Sequence, residues 1–355
     1  NKAEILPVII GPTASGKTNL AVNLAKACNG EILSADSRQV YREMNIGTGK
    51  DLEEYTVNDV LIPYHLIDIC EPGDKYNINI YFKDFVRSLA DIRSRTKLPI
   101  LCGGSGLYVQ TALEGNELSS VPGNKNLRQR LSKLGKKELQ DRFDLIAPNL
   151  QEKLDKTSTK RIIRAIEIDY FLQSNPIPVL KKPNINPVLF GIDISRNERR
   201  DKISRRLKER LENGMIEEVQ KLQQKISNED IKYYGLEYLF VTEYLEKKYD
   251  FNELFRRLEV AIHQFSKRQM TWFRKMEKDG YKVEDLYAGP LTNKGFLNEF
   301  GYNEKTSEIY ISELKEVIYK VDGVLEVDDL VFYKEIASKI NSIYMLSYKN
   351  NNLNQ

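Results

Sequence analysis

The residues with the clearest chemical meaning lie near the start of the chain, in the segment GPTASGKT. Its glycines, lysine and final hydroxyl residue follow the pattern G-x-x-x-x-G-K-[ST] between an apolar run and a helix-like run, which is typical of a phosphate-binding loop. The glycines let backbone N–H groups point inward, and the next helix adds its positive dipole end. The lysine offers a cation, and the hydroxyl offers a ligand for Mg²⁺. The predicted phosphate-binding residues are Gly11, Pro12, Thr13, Ala14, Ser15, Gly16, Lys17 and Thr18, with Thr18 as the predicted metal ligand.

Two further groups of polar or small residues follow predicted strands. Asp36 comes just after Glu31–Ser34, where a carboxylate reaches the phosphate crevice as a general base or a Mg²⁺ contact. A helix N-cap is an equally open interpretation of this aspartate. The strand Leu98–Cys102 runs into Gly103–Tyr108, GGSGLY, without the aspartate that nucleotide hydrolases usually carry there, and this disfavours ordinary ATP hydrolysis. Asp68 is a candidate substitute, although a cap or an ion pair is its more ordinary role.

Three segments concentrate positive charge. They are Lys160–Glu167, in which Arg161 and Arg164 share a helix face, Arg199–Arg210, and Ser266–Lys275, in which basic and aromatic residues alternate. A charge run is usually a solvated helix face, and the aromatic residues also suit a packed core. Beside a phosphate-binding core, the three segments favour a polyanionic partner, and interleaved aromatic residues suit stacking on unpaired bases.

The bulk composition limits the class of protein. The chain has 355 residues, 41% hydrophobic and 30% charged, which is typical of a globular protein with more than one domain. Its net charge is +3, so a nucleic-acid surface has to arise from local clustering. Cys28, Cys70 and Cys102 are widely spaced, which argues against a disulfide scaffold or a zinc site. No apolar run reaches transmembrane length, so we expect a cytoplasmic protein that does not contact a membrane.

Apolar strands alternate with amphipathic helices in the first part of the chain, and this predicts a parallel α/β sheet flanked by helices. The predicted strands are Ile5–Ile10, Glu31–Ser34, Tyr64–Ile69 and Leu98–Cys102. Such a sheet binds ligands at the carboxyl ends of its strands. From about Glu114 helical patterns take over, until Pro187–Ile194 reads as a strand again. In the tail, Glu308–Leu314 and Val324–Phe332 alternate like half-buried strands. We predict a P-loop NTPase-like core at residues 1–114 and 186–286, a helical insertion at 115–185, and a C-terminal extension of unknown role at 287–355.

Taken in order, these motifs resemble one family, the tRNA dimethylallyltransferases, also called tRNA isopentenyltransferases. The resemblance extends over nearly all of residues 5–280. Each motif is short, but the ordered set is specific. The segments that carry it are Gly11–Thr18, DSRQVY at Asp36–Tyr41, IGTGK at Ile46–Lys50, YHLID at Tyr64–Asp68, GGSGLY at Gly103–Tyr108, Arg161–Glu167 and QFSKRQMTW at Gln264–Trp272.

The resemblance implies a prenyltransferase that moves a dimethylallyl group from dimethylallyl diphosphate to an adenosine of tRNA. The acceptor is N6 of the adenosine on the 3′ side of the anticodon, position 37, and the phosphate loop then holds the diphosphate leaving group. The family also implies Mg²⁺ as the cofactor, a monomer, and a helical insertion that grips the anticodon stem-loop.

The resemblance assigns roles to individual residues as well. Asp36 is expected to accept the N6 proton, Thr18 to hold Mg²⁺, and Arg206 to lie near the diphosphate. Ser105 stands where the family usually has threonine, and the hydroxyl is kept. The expected tRNA contacts are Asp36, Ser37, Arg38, Gln39, Ser105, Lys160, Arg161 and Arg164.

Three other functions stay open at this point. One is an adenylate isopentenyltransferase that acts on free nucleotides. The helical insertion and its arginines argue against it, because a mononucleotide does not need so large a binding surface. Another is a P-loop kinase for nucleotides or small molecules. The third is an RNA-binding P-loop protein without enzymatic activity.

Overall fold

The computed structural model describes residues 4–154, 156–192, 194–281 and 283–284. The strands predicted at Glu308–Leu314 and Val324–Phe332 lie outside these residues. The described chain forms two compact units. The first contains the described residues up to Tyr76, Lys83–Leu113 and the described residues from Asn184 onward, and the second contains Asn77–Phe82 and Glu114–Pro183.

The strands belong to the first unit. Six of them form one sheet in the order β5-β2-β6-β1-β7-β8 with every pair parallel, and β3 and β4 form a separate antiparallel pair. In chain order they are β1 (Glu4–Ile10), β2 (Gly30–Ser34), β3 (Thr56–Val57), β4 (Val60–Leu61), β5 (Tyr64–His65), β6 (Leu98–Gly103), β7 (Ile185–Gly191) and β8 (Val283–Glu284).

Helices connect the strands and build the second unit. Short 3₁₀ helices occur at Leu52–Tyr55, Glu117–Ser120 and Lys232–Tyr234. None of the helices in the described part of the chain is long and apolar enough to cross a membrane. The α-helices are α1 (Lys17–Ala27), α2 (Ile78–Ser94), α3 (Gly106–Glu114), α4 (Lys125–Leu131), α5 (Lys136–Asp144), α6 (Pro148–Gln151), α7 (Thr159–Leu172), α8 (Arg196–Glu212), α9 (Met215–Gln223), α10 (Asn228–Ile231), α11 (Leu236–Leu245) and α12 (Phe251–Lys278).

The register of the sheet places the polar loops at one edge. Because the central strands are apolar and buried throughout most of their length, they read as continuous hydrophobic runs, as expected of a parallel sheet covered on both faces. Ile10, at the end of β1, pairs with Gly103 and Gly191, and Ser34, at the end of β2, pairs with Cys102. The loops that follow β1, β2 and β6 therefore start side by side. The predicted α/β sheet with flanking helices is confirmed.

The strand predicted over Tyr64–Ile69 ends at His65. Leu66 and Asp68 take left-handed backbone angles, with φ of 66° and 53°, which a strand does not accommodate. A fully buried lysine, Lys50, forms an ion pair with Asp68 and donates to Tyr41 O at 2.5 Å. Asp68 thus takes part in an ion pair, the more ordinary role that the sequence offered for it.

The three cysteines are free. Cys102 is buried in β6, where its Sγ donates to Lys17 O at 3.6 Å. Burial raises the pKa of the Cys102 thiol to about 12, so the thiol stays protonated near neutral pH and behaves as a small core residue.

The second unit is built from helices around its own apolar core. Leu131, Leu139, Phe143 and Ile162 lie in that core. One carboxylate, that of Glu167 on α7, is also completely buried, and it accepts hydrogen bonds from Asn124 N–H at 2.9 Å and from the Arg128 guanidinium at 2.6 Å. Buried charges of this kind are retained only when they are paired.

Candidate active site

The loop between β1 and α1 has the backbone shape that phosphate binding requires. Ala14 and Gly16 adopt left-handed conformations, with φ of 61° and 83°, and such turns aim successive N–H groups into one concave surface. A Cβ atom on Gly11 would lie 2.6 Å from Ser15 Oγ and 3.3 Å from Ile192 Cβ, so a larger residue there would have to displace the Ser15 side chain. The ammonium of Lys17 donates to Pro12 O at 3.2 Å, and burial lowers the pKa of Lys17.

One hydroxyl group of this loop, Ser15 Oγ, is buried and makes no hydrogen bond with any described residue. Thr18, in the first turn of α1, is half-buried. A buried hydroxyl without a partner is costly, and at the rim of a phosphate cradle it is explained by a ligand or an ion that the loop is shaped to hold.

A pocket opens beside the loop. Thr13 and Ala14 line one part of it, and Arg206 and Arg210, one turn apart on α8, line another. Glu237 also lines it, and burial raises the pKa of Glu237. The two guanidinium groups make this pocket suitable for an oxygen-rich anion.

Asp51 holds the two arginines in place. Its carboxylate forms an ion pair with Arg206 and lies 3.2 Å from Arg210 Nη2. Although burial acts to raise it, the two guanidinium groups hold the pKa of Asp51 below its usual value. Gly49 lies under both groups, because a Cβ atom there would sit 2.2 Å from Arg210 Nη2 and 2.9 Å from Arg206 Nη2. Burial, followed by the charge of Arg210, lowers the pKa of Arg206.

Asp36 lies in the loop after β2. Its Oδ1 accepts a hydrogen bond from Arg38 N–H at 2.8 Å, which closes a local turn of the Asx type. Its Oδ2 accepts no hydrogen bond from any described residue, and the side chain is half-buried. One carboxylate oxygen therefore shapes the loop, while the other stays available to a ligand.

The loop after β6 is joined to the loop that carries Asp36. Ser105 N–H donates to Ala35 O at 3.3 Å, and Ser105 Oγ accepts from Ser37 N–H at 3.4 Å. Gln39 is occupied within the protein, since its amide accepts from Ser34 Oγ at 2.9 Å and donates to Gly49 O at 3.1 Å. The structure thus brings Asp36, Ser37 and Ser105 together.

Arg38, which the resemblance assigns to tRNA contact, lies beside an exposed aromatic ring. Its guanidinium carbon is 5.1 Å from the centroid of the Tyr233 ring, and Tyr233 is 59% exposed. A cation over an aromatic face is a favourable arrangement that leaves the guanidinium edge accessible to further acceptors.

The three basic residues predicted on α7 differ in their surroundings. Lys160 and Arg161 are exposed, and Arg161 donates to Thr157 Oγ1 at 2.8 Å. Arg164 is half-buried and donates to Val121 O at 2.6 Å. It also lies 3.7 Å from the buried Glu167 carboxylate. Arg164 therefore has a structural function inside the second unit, besides any contact with RNA.

Replacing Arg164 and Arg161 separately tests this difference. We expect Arg164→Ala to lower the free energy of unfolding by about 1–3 kcal/mol, because carbonyl oxygens and a buried carboxylate lose a charged donor. Arg161→Ala is expected to change it by less than about 0.5 kcal/mol, as at most exposed sites. Urea unfolding followed by circular dichroism measures both. Equal stability of the two variants would contradict the structural function of Arg164.

Asp51, Arg210 and Gln269 are among the residues of this site to which the sequence analysis assigned no function. Arg210 follows Arg206 by four residues, so its position on the same helix face could be predicted from the sequence. Gln269 is buried on α12 and contacts the loops after β1 and β6. Its position within the segment QFSKRQMTW, which carries the family resemblance, was the signal in the sequence that could have placed Gln269 in the site.

Fold and site together define a P-loop α/β protein with an anion pocket and a carboxylate-bearing loop at the same sheet edge. The sequence profile of the IPP transferase family matches residues 39–276, and that of the isopentenyl transferases matches residues 4–58. The chain belongs to the IPP transferase family, the tRNA dimethylallyltransferases, which are prenyltransferases.

Individual relatives agree with this assignment. The chain is 50% identical over 293 residues to tRNA dimethylallyltransferase 2 of Bacteroides fragilis, covering 81% of this chain and 95% of the relative. Its fold is similar to the crystal structure of the tRNA isopentenylpyrophosphate transferase of Bacillus halodurans, with a TM-score of 0.58 and 29% identity over 89% of this chain and 99% of that one. The corresponding transferase of Staphylococcus epidermidis has a TM-score of 0.60 and 27% identity at the same coverage.

Proposed function

We propose that this protein transfers a dimethylallyl group from dimethylallyl diphosphate to N6 of adenosine 37 in tRNA and releases diphosphate. The observation that carries the proposal is the register of the sheet. It starts the phosphate loop after β1, the carboxylate loop after β2 and the glycine loop after β6 side by side, in a member of this prenyltransferase family. Transfer of an allylic group to an amine needs an anion site for the leaving group and a base for the amine.

In the proposed reaction, N6 of the adenine attacks the first carbon of the dimethylallyl group. The bond between that carbon and the diphosphate oxygen breaks, and the N6 proton passes to the Asp36 carboxylate. Negative charge grows on the diphosphate as it leaves. The loop N–H groups, the Lys17 ammonium and the Arg206 guanidinium are arranged to stabilise that charge.

Mg²⁺ is the proposed cofactor, and the residues of the loop fit it. Thr18 offers a hydroxyl in the first turn of α1, and the Ser15 hydroxyl is buried with no hydrogen-bond partner among the described residues. No group of three or more His, Cys, Asp or Glu side chains within the described residues forms a metal site. An ion held by Thr18 would thus take its other ligands from the diphosphate and water, as Mg²⁺ commonly does with phosphate substrates. When bound, it neutralises charge on the leaving group.

On the acceptor side, the available oxygen of Asp36 serves as the base and orients the amine for attack. The target adenine has to leave its stack to reach this oxygen. Ser37, Arg38 and Ser105 surround Asp36 in the proposed nucleotide contact.

The RNA partner is proposed to be the anticodon stem-loop of a tRNA. Lys160 and Arg161 expose cationic side chains on α7 of the second unit, and such side chains contact phosphates without reading sequence. The helical unit is proposed to bind this stem-loop. We further propose that the protein acts as a monomer in the cytoplasm.

An acceptor assay tests the proposed function. The full chain is incubated with radiolabelled dimethylallyl diphosphate, Mg²⁺ and bulk tRNA. We expect label to enter the RNA and nuclease digestion to release N6-dimethylallyladenosine. AMP in place of tRNA tests the free-nucleotide alternative, and labelled ATP tests phosphate transfer. If no label enters the tRNA while a control transferase is active, the proposal is wrong. Label on AMP alone would favour the free-nucleotide enzyme.

A further inference from the structure

Gln269 is a buried amide placed between two loops of the site. It lies on α12, a helix of 28 residues whose buried face includes Ile262, Met270 and Phe273. The side chain is 7% exposed among these mostly apolar neighbours. A buried amide is stable only when its donor and acceptor are both satisfied.

Both ends of the amide bind main-chain groups of the site loops. Gln269 Oε1 accepts from Thr13 N–H of the phosphate loop at 2.9 Å, and Gln269 Nε2 donates to Gly104 O of the loop after β6 at 2.9 Å. The fit around the amide is close, since a Cβ atom on Gly104 would lie 2.6 Å from Gln269 Nε2 and 3.3 Å from Gly11 O. The glycine at 104 therefore makes room for this bridge.

The bridge continues to the carboxylate loop. Gly104 is followed by Ser105, whose N–H and Oγ bond to Ala35 O and Ser37 N–H on either side of Asp36. One turn along α12, the Trp272 ring packs on Gly106, where a Cβ atom would lie 2.2 Å from the ring. One helix face thus contacts both the phosphate loop and the loop that is bonded to the Asp36 segment.

We propose that Gln269 is a positioning residue that sets the spacing between the diphosphate loop and the loop bearing Asp36, and so aligns the allylic carbon with the attacking N6. This inference rests on the proposed function. The sheet fixes where the loops begin, but each loop runs several residues beyond its strand. A bidentate amide between the phosphate loop and the loop after β6, which is bonded to the Asp36 segment, removes the remaining freedom. Because reaction needs near-contact alignment, a shift of about 1 Å is enough to lower the rate about 100-fold.

The Gln269→Met variant tests the bridge with a side chain of similar length that cannot hydrogen-bond in this way. We expect kcat for RNA prenylation to fall about 100-fold, while KM for dimethylallyl diphosphate and for RNA change less than about threefold, the pattern of an interaction that acts on alignment. Calorimetric titration with inorganic diphosphate should give wild-type affinity, because Lys17 and Arg206 are untouched.

A second variant, Gln269→Glu, removes one of the two bonds. An ionised carboxylate still accepts from Thr13 N–H but cannot donate to Gly104 O, so we expect a comparable loss of kcat. The matched control is Gln264→Met, which changes an exposed glutamine on the same helix and is expected to keep wild-type kcat. Thermal unfolding of all variants shows whether they fold. If Gln269→Met does not fold, the kcat of Gln269→Glu tests the proposal.

Wild-type kcat in a folded Gln269→Glu variant would overturn the proposal. So would a loss that appears entirely as a raised KM for dimethylallyl diphosphate, because Gln269 would then shape the donor site alone. Failure of the proposed function is a different result, since the wild-type protein itself would prenylate no RNA.

Discussion

An Asp36→Ala variant is expected to lose about 10²- to 10⁴-fold in kcat for RNA prenylation, the range that a positioned general base contributes. The reason is that Oδ2 of Asp36 is available to take the N6 proton. The segment that carries Asp36 is held by the hydrogen bond from Ser37 N–H to Ser105 Oγ, at 3.4 Å. Binding of diphosphate should be retained, because the phosphate loop and the arginine pair are unchanged. Single-turnover kinetics with labelled donor, together with calorimetric binding of diphosphate, measure the two quantities.

Asp36→Asn is the matched control for this variant. Its amide oxygen still accepts from Arg38 N–H, so the local turn is preserved, but it does not take up the N6 proton. If Asp36 is the base, Asp36→Asn is as inactive as Asp36→Ala. Activity recovered in Asp36→Asn would assign Asp36 to the turn alone, which is the N-cap-like interpretation that the sequence left open.

Arg206→Ala is expected to lower kcat/KM for dimethylallyl diphosphate about 10²- to 10³-fold, as loss of one preorganised donor to a developing anion commonly does. Arg206 lines the pocket beside Thr13 and Ala14 and is held there by Asp51 over Gly49. Arg206→Lys keeps the charge but loses the planar fork, so most of the deficit should remain. Steady-state kinetics at saturating RNA and varied concentrations of dimethylallyl diphosphate measure the effect.

Arg205 provides the control for Arg206. It is the neighbouring residue on α8, it is exposed, and it does not line the pocket. Arg205→Ala removes the same charge from the same helix, so kcat/KM for dimethylallyl diphosphate should stay at the wild-type value. Equal losses in the two variants would mean that the net charge of α8, rather than the position of Arg206, determines donor binding.

The parts of the site that the sequence predicted are those encoded by neighbouring residues. The phosphate loop is eight consecutive residues followed by a helix, and its glycines and lysine act through their own backbone and immediate surroundings. The strands β1, β2 and β6 were readable because buried parallel strands are continuous apolar runs. Asp36 was readable because it comes directly after such a strand.

The predictions that fell short are those in which distant residues determine the local conformation. The run Tyr64–Ile69 is apolar enough for a strand, but it turns at Leu66 and Asp68, where Asp68 pairs with the buried Lys50. The tRNA contact of Arg164 stays a prediction, but its spacing from Arg161 did not indicate that its guanidinium also bonds to Val121 O. Helical spacing shows which residues share a face, but not which of them neighbouring segments cover.

The sequence by itself predicted the phosphate loop, the strands of the parallel sheet and the candidate base, because each of these is encoded within one segment. The ordered set of motifs along the chain predicted the class of chemistry. Only the tertiary structure decided which residues complete the site. Asp51 meets Arg206 across 155 positions of the chain, and Gln269 meets Thr13 across 256. No local pattern encodes such pairs, since they form when packing of α8 and α12 brings their side chains to the edge where the parallel strands end.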